Sequence, residues 1–213
     1  MPRQCIRRII SILAVPFCLI GPSIMIAADI LTISLNHRVN PLKHSISYFA
    51  AGPFGWLEKI GIVSVAIAFL LIAVNLLAVR YKNEFRMIRL DGVLLTIVAL
   101  GFLMISLFNT NVIGTVISFH GLVHQLATIA VSFVFYLSCL ITMFLMINKT
   151  GFKYFGVYSG LTCLIGFAVL SWFGFSYYFT EYMGLSERLI SGFNLLWIIL
   201  VAPQLIRLAK IMQ

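Results

Sequence analysis

Two histidines one helical turn apart, in His120-Gly-Leu-Val-His124, and a histidine- and serine-bearing segment from Asn36 to Gly61 hold the residue types best suited to chemistry in this chain. The i, i+4 spacing projects both imidazoles from one face of a helix, the arrangement by which helical sites present two ligands to one zinc ion. As a zinc site the pair His120 and His124 is incomplete. No acidic residue follows His120 directly, and a third ligand has to come from Asp29, His37, His44 or Glu187. A hydrogen-bonded histidine pair tying its helix to the first polar loop is the simpler reading of the same spacing. A Ser-His-Asp arrangement for nucleophilic catalysis can be written from Ser45 or Ser47, His44 or His120, and Asp29. No nucleophile-elbow motif accompanies it. Haem ligation is disfavoured, because two histidines fall in a loop and two share one helix face instead of facing each other across a bundle.

The elements that must position these side chains belong in lipid. The chain is 62% hydrophobic and 10% charged, where a soluble domain would be roughly a quarter charged. Apolar runs at 9–28, 60–79, 92–108, 117–147, 155–179 and 189–206 predict an all-α integral membrane bundle of six transmembrane helices, forming a single domain over 1–213. The first run, at about 20 residues, exceeds the h-region of a signal peptide and reads as a retained span kinked near Pro16 and Pro22. Asp29 falls at its far end. Cys5, Cys18, Cys139 and Cys163 form no C-x-x-C pattern and read as buried apolar side chains. Gly156 and Gly160 would admit a close helix neighbour, a weak signal by itself. Nucleic acid is excluded as a partner, since the basic residues form no stripe interleaved with a stacking platform. A transporter reading lacks a charged residue expected at the bilayer midplane.

With the N-terminus inside, eleven of the 15 Lys and Arg fall in inner segments. That bias predicts cytoplasmic N- and C-termini. The Asn148-Lys-Thr150 sequon then lies inside and goes unused. Every histidine, with Asp29, Glu58, Asn109, Asn111, Glu181, Glu187 and Arg188, falls at the outer side, whereas Glu84 and Asp91 fall in the basic inner loop. Ionisable groups at one membrane level suggest a shared polar pocket, since each is costly near lipid unless paired; outer loops meeting water would also need polar residues. Asn40-Pro41, Gly52-Pro53 and Gly55 favour an ordered first loop, either a lid or an interfacial helix anchored by Trp56. Glu187-Arg188 reads as a cap at the start of the sixth helix or as an ion pair with a loop-one group.

Asn40-Pro41 with His44-Ser-Ile-Ser47, Ala51-Gly-Pro53 with Gly55-Trp56, His120-Gly121 with His124, and Gly184 with Glu187-Arg188 together resemble DUF998, a family of six-span bacterial and archaeal membrane proteins of unknown function. The resemblance implies six spans and an outer-face polar cluster, and it carries no activity. The turn before the fourth span departs from the family pattern: Phe108-Asn-Thr-Asn111 stands where the family often has a Phe-Pro and an Asp, and Asn109 or Asn111 can accept a hydrogen bond but cannot act as a base. The expectation is a multi-pass protein of a prokaryotic inner or plasma membrane, with the lipid bilayer as its surroundings. Its outer pocket, drawn from His37, Asn40, His44, Ser47, Trp56, Asn109, His120, His124, Glu187 and Arg188, would bind a lipid headgroup, a small molecule or a partner. The alternative is a metal-dependent intramembrane hydrolase acting on lipids, with zinc on His120 and His124.

Overall fold

The computed structural model describes residues 3–78, 85–111, 116, 118–179 and 181–211. Arg80, Lys82 and Glu84 of the expected inner loop, Gly114 of the expected turn, and the side chains of Arg3, Cys5, Arg7, Arg8 and Lys210 lie outside the described residues. The described backbone is helical: α1 (Arg3–Leu35), α2 (Ile46–Ala50), α3 (Gly55–Ala78), α4 (Phe85–Leu107), α5 (Phe119–Met146), α6 (Lys153–Phe179) and α7 (Met183–Ile211). Six of these are long and apolar enough to cross a membrane, and α2 is the short exception. A helix is what such sequences must form in lipid, where no water can satisfy a free backbone N–H or C=O.

The long helices form a closed ring in which α1 packs on α3, each following helix packs on the next, and α7 returns to α1. Lipid offers no hydrophobic drive for helices to associate, so close fit and polar contacts have to hold the ring. Both are present. Gly21 and Gly61 let α1 and α3 approach: a Cβ on Gly21 would lie 2.8 Å from the Ser64 carbonyl oxygen, and one on Gly61 would lie 2.7 Å from Met25 Sδ. Ser64 Oγ reaches Gly21 O at 2.9 Å across the same interface. The centre is filled by aromatic rings, with Phe69 5.4 Å from Phe135 and Phe135 5.4 Å from Trp197, whose indole N–H donates to Ser159 Oγ at 3.0 Å.

The helices outrun the apolar runs, and four of the extensions take in acidic residues expected at helix ends or in loops. Asp29 sits inside α1, which continues to Leu35, and Glu58 lies in the first turn of α3, which starts at Gly55. Glu187 and Arg188 lie within α7, which starts at Met183. Asp91, expected in the inner loop, is a buried residue of α4 that accepts hydrogen bonds from Ser138 and from Thr142, the latter at 2.8 Å. For Asp29, Asp91, Glu187 and Arg188 the physical reason is the same. An apolar run marks where lipid is met, whereas a helix continues wherever its polar side chains find partners on neighbouring helices.

Candidate functional site

At one end of the ring, the segment from Asn36 to Phe54 folds over the bundle through α2, whose Ile46, Phe49 and Ala50 are buried. Ser45, a candidate nucleophile by sequence, is the N-cap of α2: its side chain accepts from Tyr48 N at 3.0 Å. That cap turns the next serine inward. Ser47 Oγ lies 2.8 Å from Glu187 Oε1 on α7 and 3.0 Å from His124 Nε2 on α5, while His124 Nδ1 lies 2.7 Å from the Phe108 carbonyl oxygen at the end of α4. A carbonyl only accepts, so Nδ1 carries a hydrogen and the ring orientation is set.

Beside this chain stands an ion pair. Arg188 Nε and Nη2 donate to the two oxygens of Asp29 on α1 at 2.9 and 2.8 Å. Its Nη1 donates to the carbonyls of Pro41 at 2.6 Å and His44 at 2.9 Å, so one guanidinium joins α1, α7 and the folded-over loop. The approach depends on Gly184, where a Cβ would run into those same two carbonyls. Glu58, 0% exposed, has Asp29, Thr32 and Arg188 among its polar neighbours, yet neither of its carboxyl oxygens has a hydrogen bond.

A cavity of about 90 Å³ opens beneath Ser47 and Glu187. Its walls are mostly apolar, including Met25, Ile46, Ile62, Phe102 and Val131, with Thr128, Ser132, Ser191 and Asn194 as the polar exceptions. Asn194 is 7% exposed and its Oδ1 has no hydrogen-bond partner. The sequence carries a signal for this region that lies outside any short motif. Thr128 and Ser132 of the wall continue the four-residue spacing of His124 on α5, and Glu187, Ser191 and Asn194 recur at i, i+4 and i+7 on α7, so each set forms one helical stripe.

The other expected site residues are distributed differently. His120 is exposed and packs beside Phe108 and Phe119, with ring centres at 5.2 and 6.3 Å, so the paired-ligand expectation for His120 and His124 finds only His124 in the cluster. Among the described residues no group of three or more His, Cys, Asp or Glu is arranged to hold a metal ion, which leaves the zinc expectation without its third ligand. His44 contributes its carbonyl, while its ring turns to Asn40 O at 3.0 Å and packs against Tyr48. His37, Asn40 and Asn109 are exposed, and Asn40 Oδ1 caps its own turn by accepting from Leu42 N. Trp56 stands outward at 58% exposure, where a membrane-interface anchor would be. Asn111 Oδ1 braces the start of α5 by accepting from Ser118 N and Oγ at 3.0 and 2.7 Å. The candidate site is therefore Ser47 and Glu187 on the cavity, with His124 hydrogen-bonded to Ser47 and with Asp29, Arg188 and Glu58 nearby.

A family model described as "Protein of unknown function (DUF998)" matches residues 19–203. No curated protein and no solved structure matches the chain.

Proposed function

Since the chain belongs to the DUF998 family, whose description names no activity, we propose from the site itself that this multi-pass membrane protein binds an amphiphile. The polar end of the ligand meets Ser47, Glu187 and His124, and its apolar part enters the cavity between the helices. One observation carries the reading: a mostly apolar cavity is lined at its polar end by Ser47 and Glu187, which are hydrogen-bonded to each other and, through the serine, to His124, and it has an unpartnered Asn194 in its wall. Concave, largely apolar sites with a few convergent polar groups are the usual form of a small-molecule site. Arg86, Arg89, Lys149, Lys153 and Arg207 stand at the opposite ends of the helices, so by the charge bias the site faces outward across a cell membrane. His37, Asn40, Trp56, Asn109 and His120 would then line the approach instead of gripping the ligand.

Hydrolysis of a lipid is the second reading, and the 3.0 Å contact between Ser47 Oγ and His124 Nε2 favours it. Chemistry at that serine has an obstacle. Glu187 Oε1 is 2.8 Å from the same Oγ and Oε2 is 3.4 Å from the Ser47 N, so carboxyl oxygens stand where an oxyanion would need donors.

The binding reading is tested with Ser132→Phe, which fills the cavity from α5 without touching the polar roof. Protein in lipid nanodiscs should be stabilised against heat by medium-chain amphiphiles, and the substituted protein should not. Equal responses from both would end the proposal.

A further inference from the structure

The chain of contacts from Glu187 through Ser47 to His124 needs one more hydrogen than ordinary protonation states provide. Nδ1 of His124 spends its hydrogen on the Phe108 carbonyl. The two remaining contacts, Ser47 Oγ to Glu187 Oε1 and His124 Nε2 to Ser47 Oγ, require a hydrogen each, and the serine hydroxyl supplies one. The other must sit on His124, making an imidazolium, or on Glu187, making a carboxylic acid. With a neutral imidazole and an ionised carboxylate, one contact would be two acceptors facing each other, a loss comparable to an unmade buried hydrogen bond.

Among the described residues that line the cavity there is no Lys or Arg to take that hydrogen's place. On α1 and α7, Asp29 and Arg188 satisfy one another. From α3 comes Glu58, a further carboxyl with no donor. From α4 comes the Phe108 carbonyl, and α6 lines the cavity with Leu170. In the loop, the His44 ring faces Asn40 O, and Lys43 is exposed and pairs with Glu181. Among the described residues that line the cavity, Glu187 alone is ionisable. Asn194 Oδ1 is a buried acceptor that lacks a donor, and it stands seven residues from Glu187, about 10 Å along the axis of α7.

Resting on the amphiphile reading above, we infer that the ligand is a cationic amphiphile of the alkylamine class and that its ammonium takes the place of the extra proton. On binding, an ammonium N–H donates to Glu187, the Ser47 hydroxyl donates to His124 Nε2, and the displaced proton leaves to water. The charge of the site is the same before and after. An anionic headgroup would set a negative charge beside the Glu187 carboxyl, with Arg188 already committed to Asp29 and three carbonyls.

The experiment is calorimetric titration of the full chain in zwitterionic nanodiscs with n-octylamine, n-octanol and n-octanoate. It is run near neutral pH in buffers of different ionisation enthalpy, with empty nanodiscs subtracted. Octylamine should bind at least about tenfold more tightly than octanol, with octanoate weakest. The buffer dependence of its enthalpy should report release of about one proton per amine bound. Glu187→Gln should abolish the amine preference and the proton release while octanol still binds. If that variant does not fold, the buffer dependence of the wild-type protein decides alone. Octanol or octanoate binding as tightly as the amine, or amine binding with no proton released, overturns this inference and leaves the amphiphile reading standing; binding of none of the three overturns both.

Discussion

Arg188 Nη2 lies 2.8 Å from Asp29 Oδ1, joining α7 to α1 across 159 positions of sequence. The pair is mostly buried, with side-chain exposures of 19% and 17%, and it closes the helix ring at the end that carries the site. Both groups stand on helices that the sequence reads as lipid spans, so neither could be placed there unpaired at low cost.

Removing one partner should therefore cost more than removing both. Arg188→Ala or Asp29→Ala alone should destabilise the protein by about 3 kcal/mol, because each leaves an uncompensated charge. The double substitution should cost less than the sum of the single ones. Thermal or denaturant midpoints of the three variants in one detergent give the comparison, and strict additivity would mean that the pair does not act as a unit.

Gly184→Ala should be destabilising by about 2 kcal/mol, since the added methyl meets backbone carbonyls of Pro41 and His44 that cannot rotate away. Gly192→Ala on the same helix meets nothing within 4 Å and serves as the control. Limited proteolysis of the 36–54 segment should be faster in the first variant only.

Asp91 depends on the hydroxyls of Ser138 and Thr142. Replacing both, as Ser138→Ala with Thr142→Val, should cost about 2 kcal/mol or more by leaving a buried carboxyl without donors. Asp91→Asn added to that background should recover part of the loss. A double variant as stable as the parent would place the carboxyl in contact with water instead.

A fluorophosphonate probe separates binding from hydrolysis at Ser47. Labelling of the purified protein should not exceed that of Ser47→Ala, because Glu187 holds its carboxyl group against the hydroxyl. Labelling that disappears on Ser47→Ala or His124→Ala would make the hydrolytic reading the better one.

The orientation can be read with single cysteines. Trp56→Cys should react with an impermeant maleimide added outside intact cells, and Asn148→Cys, at the opposite end of the ring, only after lysis. The reverse pattern would invert the topology that the basic residues imply.

Much of this architecture is determined by hydropathy, because a chain that cannot leave its backbone unsatisfied in lipid has few conformations open to it. Six apolar runs became six spanning helices, and DUF998 membership was legible in short motifs such as His44-Ser-Ile-Ser47 and Gly184 with Glu187-Arg188. Histidine spacing was a poorer guide: His120 and His124 share a helix face in sequence, yet one packs outside beside Phe108 and the other meets Ser47 inside. Local pattern reports which residues sit on one face of a helix. It does not report which neighbouring helix that face meets, or which single hydroxyl, carbonyl or carboxylate arrives there from far along the chain. Ser47, His124 and Glu187 meet because α2 folds over the ring and α7 closes it, so only the tertiary structure could set them over the cavity and leave Asn194 unpartnered within it.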